Sequence, residues 1–353
     1  MRQDFHDELV SPDATNLPDR FFDRFVFNLH RTDSTTPSIL FGLGIYPPQD
    51  TVDGFAILST ETEQRNVRFS TELSAIDGSS AGPLSWEVVE PMKTWHVVLG
   101  PNPTGMEFDL IWRARTPAWF GDVAVTNQDG SPSSFEHLFQ SGLYDGTLTI
   151  DGFAQQVQGW YGQRDRSRGV RTMSGGQGLH IWYQAQFPDR SVGFLLVEGR
   201  DASRLLLEGA VMHTDGTLDT IVDVRHDLQF DDALDLKSGT VEVTTQGVVY
   251  TIETDASARG GLMAGAGYGG HHGKPAGRDH LEYDVYPLDG SVTQRTLDTS
   301  LTDRLAAFDW NGTAGLGIFE FALTRSRSSR RRTARQGSNR PERPVGPHEA
   351  RFP

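Results

Sequence analysis

The chain has 353 residues, enough for two domains or one large β domain, and it contains no cysteine, which excludes disulfides and thiolate chemistry. It has 32 Lys and Arg against 47 Asp and Glu, a formal net charge of −15. Because an acidic surface repels phosphates, we expect no nucleic-acid partner. The N-terminus lacks an apolar signal segment, and no apolar run approaches the roughly 20 residues that span a bilayer, so we expect a cytoplasmic protein without a membrane span.

The charge is unevenly distributed along the sequence. Residues 325–353 hold nine Arg and two Glu, a formal charge of +7, and almost no large apolar side chains. This composition predicts a disordered, Arg-rich C-terminal tail. A tail that binds RNA or a membrane and a solvated tail without such a role both remain open, and we base no function on it.

Short segments of alternating apolar and polar residues run through the rest of the chain. Residues 22–30 show the period-two pattern of a half-buried strand. Residues 239–255 are typical of two strands joined by a hairpin turn at Gln246–Gly247. We therefore predict a mainly β protein built as an antiparallel barrel or sandwich. Further segments of this kind are 146–160, 180–187, 192–199 and 209–230.

A polar, turn-rich break at residues 126–134 follows an aromatic stretch at 112–120. We place a domain boundary at this break, because both parts then have a usual domain size. The prediction is an N-terminal β domain at 1–128 and a C-terminal β domain at 129–324, followed by the tail. The sequence does not indicate an oligomeric state.

Neither glycine nor histidine spacing predicts a cofactor or a metal. Residues 265–270 have the glycine spacing of a dinucleotide fingerprint, but no βαβ unit surrounds them, so we expect a loop. His271 and His272 would point to opposite faces of a strand, and no third ligand is identifiable. We expect no cofactor and no metal site.

The segment GWYGQRDRSRGVR places Asp165 between Arg164 and Arg166. On an extended strand, Asp165 shares one face with Gln163 and Ser167, and the two arginines lie on the other face. A partly buried carboxylate of this kind could deliver a proton to an alkene or remove one beside a hydroxyl group. An ion pair that only stabilises the barrel is the alternative.

The same segment resembles a known signature. GQRDRSRGVR is similar to the GxRDHSWGxR motif of the hydroxyneurosporene synthase (carotenoid 1,2-hydratase)/AttH-like superfamily. FDRFVFNLH, GLGIYPPQDTVDGF and GPLSWEVVEPMKTWHVVL resemble the N-terminal module of its uncharacterised bacterial branch. QSGLYDGTLTIDG, HIWYQAQFPD and EGAVMHTDGT resemble the C-terminal module, so the likeness covers most of residues 20–324. It implies two tandem lipocalin-like antiparallel β-barrels.

The resemblance also implies chemistry on an apolar substrate, such as hydration of double bonds or cyclisation, usually without a cofactor. A motif carboxylate is proposed to protonate the alkene in the hydratases, and Asp165 occupies that position here. The motif His and Trp are replaced by Arg166 and Arg168, and an aromatic residue of the carotenoid branch is replaced by Gln163. These changes remove a proton relay and aromatic faces that would stabilise a carbocation, which argues against a carotenoid substrate.

We therefore predict a cofactor-independent hydratase/dehydratase or isomerase acting on a terpenoid- or steroid-like substrate. Asp165 would be the general acid or base, with Arg164 and Arg166 as its electrostatic partners. A noncatalytic carrier or sequestering protein for an apolar small molecule is the alternative, since a catalytic site can decay while its barrel persists. The predicted substrate-binding residues are Trp160, Tyr161, Gln163, Ser167, Trp182, Tyr183, His137 and Gln140.

Two of these pairs carry a specific expectation. His137 and Gln140 begin the predicted second domain and could meet Asp165 across the domain interface. Trp182 and Tyr183 are adjacent on a predicted strand, so only one of the two can line a cavity.

Overall fold

The fold is known from a computed structural model, which describes residues 7–323 apart from 12–13, 35, 77–78, 127–129, 172–176 and 269. The described residues form β-strands and three short 3-10 turns, with no α-helix among them, and the mainly β prediction is confirmed. The predicted disordered tail lies outside the described residues.

The described residues form twenty-one strands. The first eleven are β1 (Phe21–His30), β2 (Ser38–Tyr46), β3 (Thr51–Ser59), β4 (Glu63–Glu72), β5 (Ser80–Ala81), β6 (Leu84–Glu90), β7 (Thr94–Leu99), β8 (Met106–Ala114), β9 (Trp119–Thr126), β10 (Pro132–Ile150) and β11 (Phe153–Val170). The others are β12 (Gln177–Gln186), β13 (Arg190–Gly199), β14 (Arg204–His213), β15 (Leu218–Thr220), β16 (Asp223–Phe230), β17 (Leu236–Thr244), β18 (Val249–Asp255), β19 (His280–Pro287), β20 (Thr302–Trp310) and β21 (Thr313–Leu323). The 3-10 turns are Pro47–Gln49, Leu73–Ala75 and Met263–Ala266.

These strands form two antiparallel sheets. The first sheet has the order β19-β4-β3-β2-β1-β11-β10-β8-β7-β6-β5, and β9 also pairs with β10. The second has the order β15-β14-β13-β12-β21-β20-β18-β17-β16. Strand β19 belongs to the first sheet, although in the sequence it lies between β18 and β20 of the second sheet.

Each sheet curls around its own apolar core, and a third core lies between the sheets. Trp95 and Trp112 are buried in the first core, and Tyr183 and Phe194 in the second. The third contains side chains of both sheets. Strands such as β7 are buried at every second residue, whereas β2 and β3 are buried throughout because one face contacts the first core and the other the third.

The predicted domain boundary falls between β9 and β10. These strands pair with each other in the first sheet, and the chain passes to the second sheet only after β11. Sheet membership alone does not define a folding unit, so the division into 1–128 and 129–324 stays a proposal.

Candidate active site between the two sheets

Three neighbouring strands of the first sheet present polar side chains to the second sheet. His137 on β10 lies opposite Ser167 on β11, and Arg24 and Val26 on β1 lie opposite Ser167 and Asp165. Residues directly opposite one another in an antiparallel pair share a face. Because all five line one cavity, this face of the sheet forms one wall of the candidate site.

His137 lies between two carboxylates, one from each sheet. Its Nε2 is 2.5 Å from Asp165 Oδ2, and its Nδ1 is 2.5 Å from Glu208 Oε1 on β14. With 3% of its side chain exposed, His137 is shielded from solvent. Burial alone would lower the pKa of His137, but Asp165 and Glu208 outweigh it and raise the pKa to about 10. At neutral pH the imidazole is therefore a cation that donates to both carboxylates.

A glycine makes room for this arrangement. Gly121 on β9 lies against the Glu208 carboxylate, and a Cβ atom at position 121 would overlap it. The absence of a side chain at Gly121 thus allows Glu208 to reach His137.

A second acidic group lies on the opposite wall. Glu320 on β21 accepts a hydrogen bond from His180 on β12 at 2.6 Å, and Asp303 on β20 is buried beside it. Burial and the nearby Glu320 raise the pKa of Asp303 well above its usual value. Burial by itself would raise the pKa of Glu320 as well, but His180, a hydrogen bond from Asp303 and the charge of Arg171 together outweigh it and the pKa is lowered. Asp303 is accordingly a neutral acid next to the Glu320 carboxylate.

The two acidic groups face one cavity of about 50 Å³. An adjoining cavity of about 100 Å³ is mainly apolar, with Val125, Val197 and Leu206 in its wall. The two share Arg171, His180, Leu195, Tyr268 and Glu320, so they are two parts of one space, polar at one end and apolar at the other. Such a combination of apolar walls and a few convergent polar groups is typical of small-molecule sites.

Arg164 and Arg166 lie on the other face of β11 and do not line this cavity. Arg164 pairs with Asp7 at 2.5 Å, and Arg166 pairs with Asp23 at 2.7 Å. Both guanidinium groups point toward the first core, where Arg164 lies over the ring of Trp95. Alternation along the strand thus separates them from Asp165.

The predicted binding residues divide between the cavity and the cores. His137, Ser167 and Trp182 line the cavity, while Tyr183 stacks on Phe194 in the second core. Gln163 donates to Gln184 at 2.5 Å and links the sheets beside the cavity. The remaining three do not line it: Trp160 packs in the first core, Tyr161 lies under Arg115, and Gln140 donates to the carbonyls of Met92 and Thr116.

Several residues of the site were not selected from the sequence. They are Glu208, Asp303, Glu320, His180 and Arg24. For Glu208 and Glu320 the signal is a single ionisable residue inside an otherwise apolar strand, as in LLLEGAV and GIFEFAL. A charged residue in such a position is costly unless it is paired, which marks it for attention.

The described part of the chain contains no group of three or more His, Asp or Glu residues with a geometry that could hold a metal ion. Nor does it contain a helix of sufficient length and hydropathy to cross a membrane.

Comparison with known proteins places the chain in a family. The model of a family of unknown function, DUF8625, matches residues 10–329. The chain belongs to this family. A comparison with curated proteins gives no match.

Solved structures with a similar fold come from other proteins. A protein assigned as an AttH of Nitrosomonas europaea has 12% identity and a TM-score of 0.54, over 89% of this chain and 98% of its own. At this identity the likeness shows a shared fold. Kievitone hydratase from Nectria haematococca has 9% identity and a TM-score of 0.47, over 89% and 93% of the two chains. CghA has 12% identity and a TM-score of 0.46, over the same shares.

Proposed function

We propose that the chain is a hydratase/dehydratase or isomerase that acts by acid/base catalysis, without a cofactor, on a small and mainly apolar substrate. One observation carries this proposal. Asp303, held as a neutral acid, and Asp165, bonded to the His137 cation, face the same cavity, which continues into an apolar space. Two carboxyl groups in unlike environments are the usual requirement for pairing an acid with a base.

The two groups have complementary tasks. In the dehydration direction, Asp303 donates its proton to the hydroxyl group, whose C–O bond breaks with the electron pair on oxygen, and water leaves. Asp165 takes a proton from the adjacent carbon, and the electron pair of that C–H bond becomes the double bond. Hydration is the reverse. An isomerisation uses the same pair, with one group removing a proton and the other adding one at a different carbon.

His137 is a positioning residue in this scheme. Its hydrogen bond occupies Asp165 Oδ2 and leaves Oδ1 without a hydrogen bond to any described residue. Because Glu208 fixes the other ring nitrogen, the imidazole cannot rotate away from Asp165. The free oxygen is therefore held at the cavity, where it can reach a substrate proton.

The test is proton exchange in heavy water, with mass spectrometry following deuterium and water mass shifts in a panel of terpenoid and steroid alkenes, alcohols and acids. We expect wild type to turn over at least one compound. Asp165→Asn and Asp303→Asn should each lower the rate by roughly 10²- to 10⁴-fold. Asp109→Asn is the matched control: it changes an exposed carboxylate on β8 that does not line the cavity, and it should keep the wild-type rate.

Two outcomes would contradict the proposal. If both site variants turned over substrate as fast as wild type, neither carboxyl group would be catalytic. If no compound changed, and one co-purified unaltered with wild type and variants alike, the chain would be a carrier for an apolar molecule.

A further inference from the structure

Arg171 lies where the polar and apolar parts of the cavity meet. It follows the last residue of β11 and lines both parts. Its guanidinium carbon is 4.2 Å from the ring centre of Phe135 and 5.4 Å from that of Phe22. The aromatic rings hold the guanidinium group in place without using its N–H donors.

No described residue accepts a hydrogen bond from Arg171 or forms an ion pair with it. Asp165 and Glu320 are near enough to act on its charge, but each is already bonded, to His137 and His180. Burial lowers the pKa of Arg171 from its usual value, which reflects a charge removed from water without a direct partner.

Buried arginines elsewhere in the described part of the chain do have partners. Arg164 pairs with Asp7, Arg166 with Asp23, and Arg304 with Asp235. Arg24, on the same cavity wall, donates to the hydroxyl group of Tyr268 and contacts His272. Because a cation partly removed from water is costly unless it is paired, the absence of a direct partner among the described residues indicates that Arg171 binds an external acceptor.

We propose that Arg171 binds the carboxylate group of the substrate, so that the natural substrate class is small carboxylic acids with an apolar chain. This inference rests on the proposed function and names its substrate. The guanidinium fork matches a carboxylate through two parallel hydrogen bonds. The chain of such an acid would extend along Val125, Val197 and Leu206, and the carbons nearest the carboxylate would lie on the side of Asp165 and Asp303.

Calorimetric titration with hexanoate and with 1-hexanol tests the proposal, because the two probes share an apolar chain and differ in charge. Wild type should bind hexanoate at least about tenfold more tightly than 1-hexanol. Arg171→Met should lose roughly 10- to 100-fold in hexanoate affinity and little for 1-hexanol, and Arg171→Lys should lie between. Arg113→Gln, which changes an exposed arginine, is the control and should bind like wild type.

The result for Asp165→Asn separates this proposal from the catalytic one. The variant should bind hexanoate within about threefold of wild type, or more tightly, because it removes a negative charge near Arg171. If hexanoate binds but no acid is turned over, the proposed catalysis is contradicted, whereas the proposal that Arg171 binds a carboxylate group stands. Equal affinity of wild type for the two probes, no binding of either, or unchanged hexanoate affinity in a folded Arg171→Met would overturn the carboxylate site.

Discussion

At the scale of single residues, the environment assigns different tasks to groups of the same chemical type. Asp165 is bonded to a histidine cation, whereas Asp303 is buried beside another carboxylate and is held neutral. His137 and His180 each contact a carboxylate, but only His137 lies between two. Neighbouring charges and burial, rather than residue type, decide which group is favoured to hold a proton.

The raised pKa of His137 predicts how stability changes with pH. The folded chain keeps a proton that the unfolded chain loses near pH 6.5, since the folded pKa is about 10. The stabilisation of the folded chain by protonated His137 is complete below pH 6.5 and is lost as pH rises through about 10. Relative to His137→Gln, the wild-type free energy of unfolding should fall by up to about 1.4 kcal/mol per pH unit in that window.

Urea titrations at several pH values between 6 and 10 measure this difference. His96→Gln, which removes a partly exposed imidazole paired with Asp109, is the control variant. Parallel curves for wild type and His137→Gln would show that the imidazole holds no additional proton in the folded chain.

At the scale of elements, β11 separates two systems of charges by its two faces. Asp165 and Ser167 face the second sheet, and Arg164 and Arg166 face the other way. The partner of Arg164 is Asp7, in the segment before β1, which also accepts hydrogen bonds from the backbone N–H of Met92 and the indole of Trp95. The N-terminal segment is thereby held against the first core.

Because the Asp7–Arg164 pair is buried, we expect a single substitution at Asp7 to lower the free energy of unfolding substantially. Asp7→Asn would leave the Arg164 guanidinium group buried without its carboxylate, and we expect a loss of about 3–5 kcal/mol in the free energy of unfolding. Urea denaturation measures the loss, and Asp33→Asn, in an exposed pair with Arg31, is the control that should unfold like wild type. A variant as stable as wild type would mean that the Asp7–Arg164 pair does not stabilise the fold.

At the scale of the whole molecule, the two sheets are joined in several ways. A core of apolar side chains lies between them, and Gln163 donates to Gln184 across the interface. Arg115, beyond β8, donates to the carbonyl group of Arg190 at 2.8 Å. Strand β19 comes from the later part of the chain but pairs with β4 in the first sheet. The candidate site depends on this assembly, since its walls come from both sheets.

Shared contacts of this kind predict that the sheets unfold together. Scanning calorimetry should show one transition, with calorimetric and van't Hoff enthalpies that agree. Tryptophan fluorescence and far-ultraviolet circular dichroism should give the same midpoint. Two separate transitions would instead show that the chain contains independent folding units.

Sequence patterns alone were sufficient for the class of the fold. Period-two alternation is a local property of a strand, so the β elements could be predicted one by one. The same alternation places Asp165 and Ser167 on one face and the arginines on the other. The local pattern does not identify which parts of the chain pack against each face of β11. Arg164 and Arg166 were expected to act on Asp165 because they are its neighbours in the sequence.

The tertiary structure decided which groups meet. Glu208 is 71 residues from His137, and Asp7 is 157 residues from Arg164. Pairings over such distances depend on the order and register of strands, which arise from packing of the whole chain and not from any segment of it. For the same reason a single charged residue in an apolar strand, such as Glu320, is visible in the sequence, but its role beside Asp303 and His180 depends on the contact of two sheets.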